Sequence, residues 1–318
     1  MAWNALVLGG GGAKGEFEVG VLEHLAQKQF NFDFFTGVSV GALNVSVLAQ
    51  YQSLADAVPA LEKLWLEIQS NDDVYTQPFL GKPLALWDKR ESVFNSDPLQ
   101  RRIASHVQWS RLVAASKIWA IGVTSLTDGC YYLVSNDADL LKASKGRSGG
   151  TLDLRLTPGT TGSIPDAIDD FILASASMPF LFPPVTIYEH KFVDGGLRDI
   201  TPLSAAFLAA PPANQIPPGS RIIAVSTSPL LMPELPDTDL DGGAKILARS
   251  VDIMTHEILE NDIEEAIETN QIPGYKHIDV VSLRPDDDFG LGALEFDAAA
   301  KRASLRKHGR EIAARAFP

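Results

Sequence analysis

Cysteine is almost missing from this chain: Cys130 is the only one in 318 residues. A single thiol excludes an internal disulfide and any metal site built from cysteines. It also fits a reducing compartment. Lys and Arg number 27 against 40 Asp and Glu, a formal charge of −13. No basic cluster remains to track phosphates, which argues against nucleic acid as a partner. The same balance argues against simple adhesion to an anionic membrane, so any contact with lipid should be local and apolar. No apolar run approaches the ~20 residues needed to cross a bilayer. The start, Met1-Ala2-Trp3-Asn4, carries no basic stretch ahead of a hydrophobic one, so no secretory leader is expected. A soluble protein, cytoplasmic or associated with a membrane surface, is the expectation. No metal-ligand spacing is apparent, and no metal or other cofactor is expected. Oligomeric state is not legible.

What is present suits a large core: 45% of residues are hydrophobic and 21% charged. Ala5 to Leu8 reads as a buried strand, followed by four glycines and a helical pattern from Phe17 to Leu25. A second unit repeats that order, with a strand at Phe30–Phe35, a turn around Ser39 and a helix from Ala42 to Tyr51. Leu54 to Gln69 is amphipathic. Ile118–Val123 and Tyr131–Val134 read as a hairpin across Thr127-Asp128-Gly129. Ser135 to Ile164 is loop-rich, and Ala167 to Ala176 reads as a helix. Ile222–Val225 and Ile278–Leu283 are further strands, and Ala298 to Phe317 is a terminal helix. Lys245 to Asn270 is the longest helical pattern, with Ile246, Leu247, Val251, Met254, Ile258 and Ile263 spaced for burial. These units predict an α/β fold over residues 1–318: one three-layer domain whose mostly parallel central sheet is flanked by helices.

Two serines lie in Gly-x-Ser-x-Gly. Ser39, in Gly37-Val38-Ser39-Val40-Gly41, has a strand before it and a helix after it, the context of a nucleophile elbow. Ser148, in Gly146-Arg147-Ser148-Gly149-Gly150, follows no apolar run and reads as loop. The plain alternative for Ser39 is a helix cap in an ordinary turn. Gly10-x-Gly12-x-x-Gly15 also has two readings. It matches a dinucleotide fingerprint, with Asp33 about 20 residues on to hold a ribose hydroxyl. Equally, its N–H groups could face an oxyanion. Lys14-Gly15 is the wrong order for a Walker loop.

A serine nucleophile needs a base. His256, His277 and His308 lie late in the chain, where a triad histidine would stand, but none has a distinctive setting, and His308 reads as a solvated surface residue. Asp194, ending Lys191-Phe192-Val193 and followed by Gly195-Gly196, is sharper, although Asp-Gly is also a hairpin signal. Asp241-Gly242-Gly243 better fits the start of the long helix. The mixed segment 71–94 holds Phe79 and Trp87, which suit core packing or a mobile cap over an apolar cleft.

Four blocks in this order resemble the patatin-like phospholipase family. They are Gly10-Gly11-Gly12-Ala13-Lys14-Gly15, Gly37-Val38-Ser39-Val40-Gly41, Ala174-Ser175-Ala176-Ser177-Met178-Pro179 with Phe182-Pro183-Pro184-Val185, and Asp194-Gly195-Gly196 with Thr201-Pro202-Leu203. The resemblance covers residues 5 to about 205, with looser similarity over 240–318. It implies a lipid or acyl-ester substrate, hydrolysed through a Ser39–Asp194 dyad that needs no histidine and no cofactor, at a transiently met membrane or micelle surface. Gly10, Gly11 and Gly12 would form the oxyanion hole, with Lys14, Gly37, Gly41, Gly195 and Gly196 in support. Lys14 stands where most relatives carry Arg, and Gly9 where Ser or Asp is frequent. An inactive lipid-binding relative is the alternative within the family. A free Asp titrates near 3.9, so a working Asp194 should lie in an apolar niche that raises its pKa.

Overall fold

The computed structural model describes residues 2–76, 91–148, 167–235, 242–272 and 276–318. Phe79, Trp87, Gly149, Gly150 and Asp241 lie outside them.

Strand β1 (Asn4–Leu8) is fully apolar from Ala5 because both of its faces are covered. It pairs in parallel with β2 (Phe34–Gly37) on one side and β7 (Arg221–Val225) on the other. Strand β3 (Ile118–Ser125) extends the parallel run beyond β2, and β8 (Asp279–Leu283) extends it beyond β7. Antiparallel β4 (Tyr131–Ser135), β5 (Val185–Ile187) and β6 (His190–Asp194) complete a mixed sheet that has eight strands among the described residues. The fold is therefore a sheet of mostly parallel strands flanked by helices.

Alternation along β1 sorts the two helical layers. Leu6 and Leu8 face α1 (Glu16–Gln27), α2 (Val40–Leu48), α3 (Leu54–Leu66) and α10 (Ala299–Ala316), while Ala5 and Val7 face α8 (Leu203–Ala209) and α9 (Gly243–Gln271). Short helices α4 (Asp97–His106) and α5 (Trp109–Val113) lead into β3, α6 (Ala138–Ser148) follows β4, and α7 (Ile168–Ser175) precedes β5.

The edges of β3 set the positions of the chemistry. Ala120 and Ile121 pair with both β2 and β4, and Val123 and Thr124 pair with both β4 and β6. One strand can have only one partner per edge at a given residue. Strands β2 and β6 therefore share the edge opposite β4, one after the other, running toward each other.

Three expectations change. The strand near Phe30 begins only at Phe34, because β1 offers no partner before Asn4; Phe30 instead packs edge-on against Phe317, 4.9 Å between ring centroids. The stretch after Ser135 is helical through Ser148, since Asp137 caps it by accepting the Leu140 N–H at 2.7 Å. Gly146, Arg147 and Ser148 thus end a helix with no strand before them. On α9, Ile246 and Met254 are exposed while Leu259 and Ala266 are buried. The face packed toward α8 carries Ile263 but also the acidic Asp262, so apolar spacing found only part of the packing side.

The elbow depends on close packing of backbone on backbone. A Cβ at Gly41 would stand 2.3 Å from the Leu8 carbonyl oxygen. Gly41→Ala is therefore expected to lower stability by about 1–3 kcal/mol, read as a lower urea midpoint with an unchanged slope; an unchanged midpoint would contradict this packing.

Candidate functional site

Ser39 occupies the turn between β2 and α2 with φ 57° and ψ −125°, a conformation that side-chain-bearing residues rarely adopt. Such strain typically costs about 1–3 kcal/mol and persists only where surroundings enforce it. Here the Val38 N–H donates to the Leu8 carbonyl at 3.3 Å and the Gly41 N–H to the Val38 carbonyl at 2.9 Å. The Ser39 N–H donates to the Ser175 hydroxyl at 3.0 Å. Ser39 is 8% exposed, buried yet reachable.

Asp194 ends β6, opposite Val123, while Gly37 at the end of β2 lies opposite Ile121. The two converging strands thus deliver Ser39 and Asp194 to one point. Asp194 is completely buried. Its Oδ1 accepts the Gly196 N–H at 2.8 Å, and its buried Oδ2 has no hydrogen-bond partner among the described residues. Burial pushes the carboxyl up to about 7, against the opposing pull of the Gly196 N–H and the nearby Ser39 hydroxyl. The Ser39 hydroxyl lies near enough to the carboxyl to favour its ionised form. The Asp194 N–H is held by the Ser177 carbonyl at 3.0 Å.

The glycine loop leaves β1 beside Ser39. The Gly9 N–H donates to Val225 at 2.9 Å, the Gly10 N–H to Ile200 at 3.1 Å and the Ala13 N–H to Ala293 at 2.8 Å. Gly10 also accepts from the Thr227 hydroxyl through its carbonyl. Gly10 therefore anchors the loop with both its backbone groups. Gly11 and Gly12 stand at the head of the 3-10 turn Gly12–Gly15, where N–H groups have no acceptor within the turn. Gly12 has φ 58°, which glycine alone adopts freely. Lys14 pairs with Asp288 at 3.1 Å and ties the loop to the segment before α10. Gly37 and Gly41 form the elbow, and Gly195 and Gly196 the turn after Asp194.

Other sequence candidates lie elsewhere. Asp33 precedes β2 and accepts the Asn4 N–H at 2.9 Å, at the opposite end of the strands from the glycine loop. It cannot serve a ligand bound at Gly10–Gly15, so the dinucleotide reading loses its acid. His256 pairs with Glu260 at 3.5 Å, and His277 is exposed ahead of β8. His308 is largely buried between Phe17 and Phe289 and accepts the Asp286 N–H at 3.1 Å, which corrects its reading as solvated. Among the described residues none of these histidines bonds to Ser39, no acidic or histidine group could hold a metal ion, and no helix is long and apolar enough to cross a membrane. A small pocket of about 30 Å³ between α8 and α9 is lined by Asp199, Phe207, Asp262 and Glu265, among others, and includes neither Ser39 nor Asp194. In the sequence Ser175 and Ser177 stand out only as part of a motif; their contacts with the two ends of the site have no local signal.

A family model described as patatin-like phospholipase matches residues 6–207. No curated protein sequence matches the chain. Among solved structures, VipD from Legionella pneumophila aligns at 14% identity and a TM-score of 0.46, covering 99% of this chain and 66% of that one. The type III effector protein ExoU aligns at 13% identity and a TM-score of 0.35, covering 98% of this chain and 52% of that one. The chain thus spans just under two thirds of the first and about half of the second.

Burying Asp194 has a thermodynamic signature. Its folded pKa, about 7, lies above the ordinary value near 3.9, so the folded state keeps a proton that the unfolded state releases. Its contribution is fully favourable below about pH 4 and is lost as pH rises through about 7. Asp194→Asn stays neutral throughout. The variant is expected to exceed wild type in stability at pH 8, by a few kcal/mol at most, and to match it near pH 4. A gain absent at pH 8, or equal at both values, would contradict the assigned burial.

Proposed function

The chain belongs to the patatin-like phospholipase family, and from that premise we propose that it hydrolyses lipid acyl esters through Ser39 and Asp194, as a phospholipase A, lysophospholipase or related esterase. The observation that carries this reading is the convergence of a strained, reachable Ser39 and a buried Asp194 whose pKa is about 7. A base near the working pH combines ionisation with proton affinity.

In the proposed course, the Asp194 carboxylate takes the hydroxyl proton as Ser39 Oγ bonds to the ester carbonyl carbon. The carbonyl electron pair moves to oxygen, and the resulting oxyanion is held by the N–H groups of Gly11 and Gly12; Gly10, engaged with Ile200, keeps the loop in place. Collapse of the intermediate breaks the ester C–O bond, and the leaving alkoxide takes the proton from Asp194. Water then loses a proton to Asp194 as it attacks the acyl-serine, and the second collapse returns that proton to Ser39 Oγ and releases the fatty acid. Tyr75, Phe94, Phe182 and Phe296 form an aromatic cluster, and the Tyr75 hydroxyl donates to Leu294 at 2.8 Å, next to the residue that holds Ala13. That cluster supports an apolar wall for the acyl chain close to the glycine loop.

Ser39→Ala and Asp194→Asn are each expected to lose roughly 10³-fold or more of turnover on para-nitrophenyl esters and phospholipid vesicles, with folding intact. Full activity in Ser39→Ala would refute the proposal. For wild type, kcat/KM should rise with pH and reach half its plateau near 7, since only ionised Asp194 accepts the proton. A flat profile from pH 5 to 8 would remove Asp194 from the role of base.

A further inference from the structure

Between the ends of β2 and β6 the shared edge of β3 has a gap. Gly37 pairs with Ile121 and Asp194 with Val123, which leaves Gly122 between them without a strand partner on that side. Ser175, the last residue of α7, stands at this gap. Its hydroxyl donates to the Gly122 carbonyl at 2.7 Å and accepts the Ser39 N–H at 3.0 Å. Two residues on, the Ser177 carbonyl accepts the Asp194 N–H at 3.0 Å, and the Ser177 hydroxyl closes the helix end on Leu173 at 2.8 Å. Both serines are completely buried.

We propose that Ser175 is a positioning residue for the nucleophile: its hydroxyl stands in for the missing ladder bond and fixes the backbone of Ser39 against β3. The inference rests on the Ser39–Asp194 reading. The turn at Ser39 directs its N–H toward the protein interior, where water cannot satisfy it. Ser175 both occupies that N–H and, through Gly122, ties it to β3, the strand against which β6 and its terminal Asp194 pair. The neighbouring wall is tight, since a Cβ on Gly195 would lie 2.5 Å from the same Gly122 oxygen. Without the hydroxyl the N–H and the carbonyl are both left unpaired, and the relief open to them is rotation of the Ser39 turn, which moves Oγ relative to Asp194. A displacement of about 1 Å between reacting groups reduces rate on the order of 10²-fold.

A purely structural serine would behave differently, and this chain offers one for comparison. Ser135 on β4 is equally buried, donates to the Trp119 carbonyl and accepts the Asp137 N–H at 3.0 Å, and contacts neither Ser39 nor Asp194. Ser175→Ala and Ser135→Ala should therefore lose comparable thermal stability. Only Ser175→Ala should lose turnover, with kcat down about 10- to 100-fold and KM within about threefold. Its rate of covalent inactivation by a fluorophosphonate should fall in parallel. Ser175→Cys, which keeps a weak donor and acceptor in a similar volume, should fall between wild type and Ser175→Ala, and it carries the test alone should Ser175→Ala not fold. The proposal is overturned if kcat and inactivation rate in Ser175→Ala, or in Ser175→Cys where that variant carries the test, stay within twofold of wild type, or if Ser135→Ala loses as much. Inactive Ser39→Ala beside active Ser175→Ala would leave the dyad standing and remove only the positioning role; active Ser39→Ala would remove the dyad itself.

Discussion

The site depends on one edge of β3 being divided between two strands that run toward each other. β2 takes the first half and β6 the second, so the last residues of each are brought within a short span although more than 150 positions separate them in the chain. Both strands stop where they do for local reasons. β2 ends at the Gly37 elbow, and β6 ends where Asp194 accepts the Gly196 N–H and starts a 3-10 turn. Strand order therefore supplies proximity, and turn chemistry supplies direction.

Two unfavourable features are held in place by this frame. Ser39 keeps a strained backbone and Asp194 keeps a buried carboxyl with an unpaired oxygen. Neither would persist on a mobile loop, because relaxation would release the strain and water would solvate the acid. The surrounding backbone is correspondingly fixed. Ile200 holds Gly10, Thr227 holds the Gly10 carbonyl, and α7 reaches both ends of the site through Ser175 and Ser177. The same segment is tied to α9, where the Ile200 and Thr201 N–H groups reach the Asp262 carboxyl. Burial, with Asp199 beside it, pushes that carboxyl well above the ordinary carboxylate range.

Much of this was legible in the sequence where the signal is local. Ser39 lies in a strand–turn–helix motif, Asp194 precedes two glycines, and β1, β3, β4, β7 and β8 follow from short apolar runs. Proximity of Ser39 to Asp194 was implied by family resemblance alone, because a shared strand edge is a property of long-range register. The roles of Gly10, Ser175 and Ile200 were illegible for the same reason: a hydrogen bond across 136 or 190 positions leaves no mark on spacing. Helix α9 shows the reverse failure, with a clear apolar pattern that meets the core at Ile263 but leaves Ile246 and Met254 exposed. Its packing side includes Asp262, whose carboxyl is pushed up by burial and by the neighbouring Asp199. Hydropathy cannot anticipate such a pair.

The central claim is that Ser39 is the reactive group and Asp194 the base that activates it. The most direct measurement is to treat the protein with a fluorophosphonate that carries a lipid-like chain and to map the adduct by peptide mass spectrometry. A single adduct on Ser39 is expected, absent from Ser39→Ala and formed at least about tenfold more slowly in Asp194→Asn. An adduct on another residue, or labelling of Asp194→Asn at the wild-type rate, would contradict it.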